Sequence, residues 1–400
     1  MAAPSGRMRS ISATIQPVFE FFSQSTWAHR QAEPNICDFT FGNPHEMPLE
    51  DFSRALATWS KPQHELWYAY PDSMPSARAV VASTLRQLRG MPFEDADIFL
   101  TNGAFAALKV ALDVVTDPGD EVIFLTPPWF FYEMLIVAAG GKPVRVTVDS
   151  TTFDIDLDAV AAAITERTRA IIVNSPNNPT GKIYPPETLQ ALGSLLSDAS
   201  VRNQRPIYLI SDEAYSRILY EGRDYTSPAA YYPNTFVIYT YGKTLLTPGQ
   251  RLGYIALPPT MPGREELRNG VFLAQAMNGY AIPNALLQHA LPDLEKLSID
   301  IEHLQRKRDT LVATLREMGY SVHVPEGTFY LLPRSPIADD VAFIEQLAEQ
   351  DVFCLPGAVV EMPGYFRISL TANDDMITRS LPGFAAAIEH AHSTGAVGDA

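Results

Sequence analysis

The chain has 400 residues, a formal net charge of −16 and 46% hydrophobic residues. This length indicates a large domain with a smaller one, and the negative charge argues against DNA or RNA as a partner, because phosphate backbones bind basic surfaces. The two cysteines, Cys37 and Cys354, form neither a disulfide framework nor a zinc-binding spacing, so we expect a cytoplasmic protein without a metal site. No stretch approaches the roughly 18 apolar residues of a membrane span, so no membrane partner is expected.

Residues 1–35 are predicted to form an arm that packs on the body of the protein or on a partner subunit. The arm carries three clustered aromatic residues, Phe19, Phe21 and Phe22, but is too short and too often interrupted to form a domain of its own. A lid over a substrate is the alternative interpretation. We assign residues 1–49 to this arm and to part of the smaller domain.

Between residues 50 and 282 helical and strand-like patterns alternate, which indicates crossover connections and a mostly parallel sheet covered by helices on both faces. The predicted strands are Asp97–Leu100, Glu121–Leu125, Pro143–Val148, Ala170–Val173, Ile207–Ile210, Thr235–Tyr239 and Leu252–Leu257. The predicted helices are Leu49–Trp59, Ser76–Arg89, the segment from residue 105 to Val115, Trp129–Ala139, Leu157–Ile164 and Thr188–Leu196.

Residues 283–400 are predicted to complete a smaller α/β domain. One or two charged helices are expected over Leu286–Met318, and the tail Ser393–Ala400 is expected to be frayed. Short strands are predicted at Ser321–Leu332, Phe353 and Phe366–Leu370, and further helices at Phe343–Glu349 and Met376–His392.

The loops after residues 100, 125, 173, 210 and 240 hold the unusual sequences of the chain. Ligands of parallel α/β sheets bind beyond the carboxyl ends of the strands, so these loops are expected to form one site. Lys243 lies in the last of them, behind a glycine at a strand end, and Arg251 follows eight residues later. A lysine at this position is expected to be a reactive group and not an ordinary surface lysine.

Four motifs together carry a family resemblance. They are Asn178-Pro-Thr-Gly181, Asp212-Glu-Ala-Tyr215, Lys243 with Arg251-Leu-Gly253, and Arg367 within Phe-Arg-Ile-Ser-Leu. In this order they resemble the fold-type I pyridoxal-phosphate-dependent aminotransferases of class I/II, the branch related to aspartate aminotransferase. The resemblance extends from Gly42 to Arg367, and it implies a mostly parallel sheet of the seven-stranded type in the large domain.

The resemblance implies that the cofactor is pyridoxal 5′-phosphate and assigns its reactive contacts. Lys243 would form a Schiff base with the cofactor aldehyde. Asp212 would pair with the protonated pyridine nitrogen, and Tyr215 and Asn178 would donate hydrogen bonds to the phenolic oxygen. Simpler interpretations are a surface lysine, a strand-end aspartate that caps a turn, and an asparagine in the turn before Pro179.

The cofactor phosphate would be bound by Arg251, by the hydroxyl of Thr240 and by the helix N-terminus that opens at residues 103–105. Tyr68 resembles the tyrosine that reaches the phosphate from a neighbouring subunit, although Tyr70 is close enough to take this role. Trp129 would stack on the pyridine ring, with Phe130, Phe131 and Tyr132 as alternatives. The phosphate-binding and ring-binding residues are thus Tyr68, Gly103, Ala104, Phe105, Trp129, Thr240 and Arg251.

Arg367 would bind the substrate α-carboxylate, assisted by Asn178 and by the backbone of Gly42. A strand arginine paired with a surface acid is the simpler interpretation. No second arginine is evident for a distal carboxylate, and the arm aromatics with Phe41 indicate an apolar or aromatic wall.

The predicted activity is transamination between an amino acid and a 2-oxo acid. The alternative is another reaction on the same cofactor, such as elimination, replacement or decarboxylation. A regulator that uses the fold as an effector-binding module is a further alternative, but no DNA-binding domain is evident. Use of Tyr68 in the neighbouring site would imply a homodimer with shared active sites. Thr240, Thr247 and Ser73 depart from the family pattern and leave the subfamily open.

Overall fold

The computed structural model describes residues 4–393, so the tail predicted to be frayed lies, beyond Ser393, outside the described residues. The arm is helical, and a serine side chain caps the start of two of its helices. The elements of the arm are α1 (Gly6–Thr14), α2 (Gln16–Gln24), α3 (Thr26–Arg30) and β1 (Cys37–Asp38). The next elements are α4 (Glu50–Trp59), α5 (Pro75–Arg89), β2 (Ile98–Thr101), α6 (Gly103–Val115), β3 (Glu121–Thr126), α7 (Tyr132–Ala138), β4 (Lys142–Thr147), α8 (Leu157–Ala163), β5 (Thr168–Asn174), α9 (Pro186–Arg202), β6 (Tyr208–Asp212), β7 (Thr235–Thr240), α10 (Tyr241–Thr244), β8 (Gly253–Ala256) and α11 (Arg264–Met277). The last elements are α12 (Ala285–Leu294), α13 (Ile301–Glu317), β9 (Tyr330–Leu331), α14 (Asp340–Ala348), β10 (Val352–Phe353), β11 (Leu355–Pro356), β12 (Phe366–Ser369) and α15 (Asp374–Ser393).

A seven-stranded sheet forms the centre of the large body, in the order β2-β8-β7-β6-β5-β3-β4. Strand β8 is antiparallel to β2 and β7, and the remaining pairs are parallel. This confirms the predicted fold class. The first and last residues of each predicted strand of this sheet lie within two residues of those of the observed strand. The carboxyl ends of the five strands beside the site meet at one edge. Their last residues are Thr101, Thr126, Asn174, Asp212 and Thr240.

The inner strands of this sheet are buried on both faces, and successive side chains of such a strand point into opposite layers. Ile171 and Leu209 pack into a layer that includes Leu192 of α9. Their neighbours Ile172 and Ile210 pack into the other layer, which includes residues of α6. A continuous apolar strand such as β5 is therefore what a sheet covered on both faces requires.

The second body is built from α13, α14 and α15 around a three-stranded sheet in the order β11-β12-β9. Strand β1 of the arm pairs in parallel with β10, so the N-terminal segment belongs to this body. Helix α12 packs instead against α4 and α5 of the large body. The division of the chain at residues 50 and 282 stays a prediction.

Several element boundaries differ from the prediction. Leu286–Met318 forms two helices, because Asp300 begins a new one by accepting a hydrogen bond from the His303 N–H at 2.8 Å. The strand expected over Ser321–Leu332 is reduced to β9, and the helix expected from Trp129 begins only at Tyr132. Helix α11 was not predicted. None of the helices in residues 4–393 is both long enough and apolar enough to cross a membrane.

Candidate active site

A cavity of about 380 Å³ opens at the carboxyl edge of the sheet, where the large body meets the second body. It brings together predicted site residues from segments that are far apart in the sequence. These are Gly42, Ala104, Phe105, Trp129, Asn178, Asp212, Tyr215, Thr240, Lys243, Arg251 and Arg367. The remaining predicted residues, Gly103 and Tyr68, are not among its lining residues.

Lys243 lies in α10, the short helix that starts directly after β7. Its Nζ atom is 5.5 Å from the ring centroid of Tyr215 and 5.4 Å from that of Phe329. Within residues 4–393 this amine makes no ion pair. The arrangement leaves a primary amine facing a cavity and bounded by aromatic rings.

Asp212 is the last residue of β6 and is buried beside Asn174 of β5, its partner in the parallel register. The Tyr132 hydroxyl donates to Oδ2 of Asp212 at 2.6 Å, and the Ala214 N–H donates to Oδ1 at 3.2 Å. Burial raises the pKa of Asp212, although these hydrogen bonds and the charge of Lys243 act to lower it. The carboxylate is therefore held in place but lacks a full cationic partner.

Arg367 lies in β12 and is almost completely buried. Its Nη1 donates to Oδ1 of Asn178 at 2.9 Å, and its Nη2 donates to the Thr40 carbonyl at 3.0 Å. The guanidinium lies 4.1 Å from the ring centroid of Tyr330, and its Nε has no hydrogen-bond partner in the described structure. Burial lowers the pKa of Arg367. A buried guanidinium without a carboxylate partner is a site for a small anion.

A second anion site lies at the N-terminus of α6, where Gly103 has a φ of 82°. A Cβ atom on Gly103 would lie 2.7 Å from Nη2 of Arg251 and 3.4 Å from Oγ1 of Thr240. The residue before the helix, Asn102, makes no side-chain cap, so the first N–H groups of α6 remain open to a ligand. Desolvation lowers the pKa of Arg251, and within residues 4–393 this side chain makes no ion pair. The combination is that of a phosphate site.

Comparison with known proteins identifies the family. The model for aminotransferases of class I and II matches residues 34–381. The chain belongs to this family. It is 32% identical over 369 residues to an aspartate/prephenate aminotransferase of Thermus thermophilus, covering 89% of this chain and 92% of that protein. It is 30% identical over 360 residues to an aspartate aminotransferase of Thermotoga maritima, with 87% and 90% covered. A solved amino transferase structure from Eubacterium rectale has a TM-score of 0.86 at 30% identity, with 97% and 96% covered.

These findings confirm the predicted resemblance, cofactor and activity. The protein is a pyridoxal-phosphate-dependent aminotransferase of the aspartate aminotransferase type, and it moves an amino group between an amino acid and a 2-oxo acid. Among the described residues, no group of three or more His, Cys, Asp or Glu side chains is arranged to hold a metal ion.

Only some of the aromatic residues considered for the aminotransferase site line the cavity. Trp129, Phe130 and Phe131 all line it, whereas Tyr132 points to Asp212. Tyr68 is 52% exposed and donates to the Ser60 carbonyl at 2.5 Å, and Tyr70 is 91% exposed. Neither of these two tyrosines lines the cavity of its own chain, so their role in a neighbouring site stays a prediction.

Sequence reasoning missed Tyr330 and the hydrogen bond from Tyr132 to Asp212. Tyr330 is buried against Arg367 and hydrogen-bonds to Tyr215. Burial acts to raise the pKa of Tyr330, but the charges of Arg367 and Lys243 lower it overall. A Cβ on Gly42 would lie 2.7 Å from the Tyr330 hydroxyl, so the glycine permits this close approach. No motif marks Tyr330, because it follows Phe329 in an ordinary apolar stretch.

The arm packs on the body of the protein, as predicted, and also reaches the cavity. Val18, Phe21 and Trp27 belong to the core of the second body. Phe22 and Trp27 line the cavity as well. The arm is therefore a packing element that also contributes to the wall of the cavity, and its alternative interpretation as a lid over a substrate stays untested.

Proposed function

We propose that the two anion sites and the buried carboxylate divide the cavity between cofactor and substrate. Arg251, Thr240 and the N-terminal turn of α6, residues 103–105, hold the cofactor phosphate. Asp212 pairs with the pyridine nitrogen, and Lys243 anchors the aldehyde covalently. The support is chemical fit: a space at Gly103 that a Cβ would fill, a cation that makes no ion pair within residues 4–393, and a buried carboxylate that forms no ion pair there although the charge of Lys243 acts on it.

Three further groups complete the cofactor contacts in this proposal. Tyr215 and Asn178 donate to the phenolic oxygen, and Trp129 covers the ring. Tyr132 acts through Asp212, because its hydrogen bond at 2.6 Å fixes the orientation of that carboxylate. It is thus a positioning residue that the sequence did not reveal.

The substrate α-carboxylate is bound by the guanidinium of Arg367, with Asn178 and the backbone of Gly42 beside it. When bound, pyridoxal phosphate supplies an electron sink for the pair of electrons left at Cα of the substrate. The Nζ of Lys243 accepts the Cα proton of the donor and delivers a proton to Cα of the product amino acid in the second half-reaction. The bounding rings of Tyr215 and Phe329 limit the access of water to this amine.

The observation that carries this proposal is one cavity that holds three cations, Lys243, Arg251 and Arg367, none of which makes an ion pair within residues 4–393, together with the buried carboxylate of Asp212. Each cation has a partner in the reaction: the cofactor aldehyde, its phosphate and the substrate carboxylate. Other reactions on the same cofactor would use the same groups, but the family of this chain favours amino-group transfer.

We also propose a cytoplasmic homodimer with shared active sites. Its support is the exposure of large apolar side chains that a second subunit would cover. Seven of the exposed large apolar side chains lie in two segments: Leu66, Tyr68, Tyr70, Phe272, Leu273, Met277 and Ile282. Both cysteines are free and buried, as expected of a reducing compartment.

The test of the proposed catalytic role is Lys243→Ala. We expect loss of borohydride-reducible cofactor attachment, read by mass spectrometry, and a fall in amino-group transfer of roughly 1,000-fold or more. Lys142→Ala is the matched control, because Lys142 is exposed at the start of β4 and does not line the cavity. Cofactor that remained reducibly attached to the Lys243→Ala protein would remove Lys243 from this role.

A further inference from the structure

Six aromatic side chains line the cavity in addition to Trp129, Tyr215 and Tyr330, and one of them, Phe105, belongs to the turn assigned to the cofactor phosphate. We call them the aromatic wall. They come from the arm, from the loop after β1, from α6 and from the loop before α7. The members are Phe22, Trp27, Phe41, Phe105, Phe130 and Phe131.

The rings of the aromatic wall contact one another in two groups. Phe41 stacks on Phe22 at 4.9 Å between centroids, and Trp27 meets Phe41 edge to face at 5.0 Å. Phe131 lies 4.7 Å from Phe130 and 5.0 Å from Phe105. Such offset and edge-to-face contacts leave ring faces and edges available to a further aromatic ring.

The wall is adjacent to the proposed carboxylate site. Thr40 accepts a hydrogen bond from Nη2 of Arg367 at 3.0 Å, and the next residue, Phe41, contributes a ring to the wall. A substrate whose carboxylate binds Arg367 therefore carries its side chain into the neighbourhood of these rings.

The charges that this chain contributes to the cavity do not suit a second carboxylate on the substrate. Its charged lining residues are Asp212, Lys243, Arg251 and Arg367, and the proposed function uses all four. Behind the wall, the Trp27 indole N–H donates to Oδ2 of Asp38 at 3.1 Å, which places a further negative charge nearby. A distal carboxylate would lose its hydration without gaining a cation from this chain.

We propose that this aminotransferase selects donor amino acids with an aromatic side chain, and that dicarboxylic amino acids are its poorer donors. This inference rests on the proposed function, because it takes Arg367 as the site of the α-carboxylate. It separates this chain from the aspartate specificity in the names of its relatives. Burial of an aromatic ring against six others, together with the absence of a further cation among the lining residues of this chain, provides the discrimination.

The first experiment compares donors with the holoenzyme in single-turnover absorbance measurements. Phenylalanine, tyrosine and tryptophan should give kcat/KM values at least roughly 10-fold above those of aspartate and glutamate. Binding of unreactive analogues supplies an independent readout, since 3-phenylpropanoate should bind at least roughly 10-fold more tightly than succinate in a calorimetric titration. Preference for aspartate and succinate would overturn the inference and leave the proposed function intact. If no amino acid reacted, the proposed function itself would fail and this inference with it.

The second experiment locates the discrimination in the wall. Phe22→Ala should lower kcat/KM for phenylalanine by roughly 10- to 100-fold, while alanine as donor changes less than about threefold. The alanine rate shows that the variant is folded and that its proton-transfer groups are intact. Phe19→Ala is the matched control, because Phe19 lies on the same helix α2, is 55% exposed and does not line the cavity. Equal losses for phenylalanine and alanine in Phe22→Ala would overturn the assignment of the wall.

Discussion

At the scale of one residue, Asp212 lowers the stability of the protein without cofactor. Its carboxylate is buried, and burial raises its pKa above the ordinary value of 3.8. A raised pKa in the folded state means that the contribution of this group to stability is complete below pH 3.8 and is lost as pH rises through the folded-state value. At neutral pH the ionised carboxylate therefore lowers the free energy of unfolding of the protein without cofactor.

We predict that Asp212→Asn separates stability from activity. The cofactor-free variant should be at least as stable as the cofactor-free wild type at pH 7, and its advantage should grow between about pH 4 and pH 7, because the amide carries no charge. Amino-group transfer should fall by roughly 100-fold or more, because the pyridine nitrogen loses its anionic partner. Urea unfolding at several pH values and single-turnover rates measure the two effects. A cofactor-free variant less stable than the wild type at pH 7 would contradict the burial argument.

At the scale of an element, the first residue of helix α6, Gly103, has two roles. It adopts the backbone conformation with which the helix begins, and it leaves room for the proposed phosphate site. Gly103 has a φ of 82°, and a Cβ there would lie 2.7 Å from Nη2 of Arg251. A side chain would therefore strain the backbone and displace the arginine at the same time. The helix N-terminus and the cation need the glycine in order to face the same ligand.

We predict that Gly103→Ala weakens cofactor binding by roughly 10-fold or more, through displacement of Arg251 from the phosphate. Gly119→Ala is the matched control, since Gly119 has a φ of 90° and a Cβ there would meet no atom within 4 Å. Both substitutions should cost about 1–2 kcal/mol of stability through backbone strain. Only Gly103→Ala should raise the dissociation constant for pyridoxal phosphate, measured by fluorescence titration. A comparable rise of the dissociation constant in both variants would contradict the proposed phosphate site at Gly103 and Arg251.

At the scale of the whole molecule, the exposed apolar residues of α11 explain a gap in the sequence reasoning. Phe272, Leu273 and Met277 are exposed, whereas Val271 and Ala274 are buried. Apolar residues on both sides of a helix obscure the period from which a surface helix is recognised. The same exposure supports the proposed homodimer, because a second subunit would cover that side.

Hybrid dimers test whether Tyr68 acts in the neighbouring site. Lys243→Ala and Tyr68→Ala proteins, each with little activity alone, are co-expressed with different affinity tags. If the tyrosine acts across the interface, each hybrid dimer holds one intact site, which combines Lys243 of one subunit with Tyr68 of the other. Random assembly makes about half of the dimers hybrid. The mixture should therefore recover about a quarter of wild-type activity. The same mixing with Tyr70→Ala decides between the two tyrosines. Activity no greater than that of the separate variants would argue against a shared site.

Most helices and strands of this protein, and its reactive side chains, can be predicted from its local sequence. A strand buried on both faces needs a continuous apolar run, so the inner strands of the large body can be located from the sequence. Lys243, Asp212 and Arg367 lie in short motifs at or near strand ends, and the parallel topology then requires the loops after those strands to meet.

Contacts between distant segments required the folded chain. The bond from Tyr132 to Asp212 joins residues 80 apart in sequence, and Tyr330 reaches Arg367 only through the packing of β9 beside β12. The aromatic wall draws on four separate segments, so no short window of sequence contains it. Local patterns determine which face of an element is apolar, whereas packing of the two bodies decides which rings and charges face one substrate.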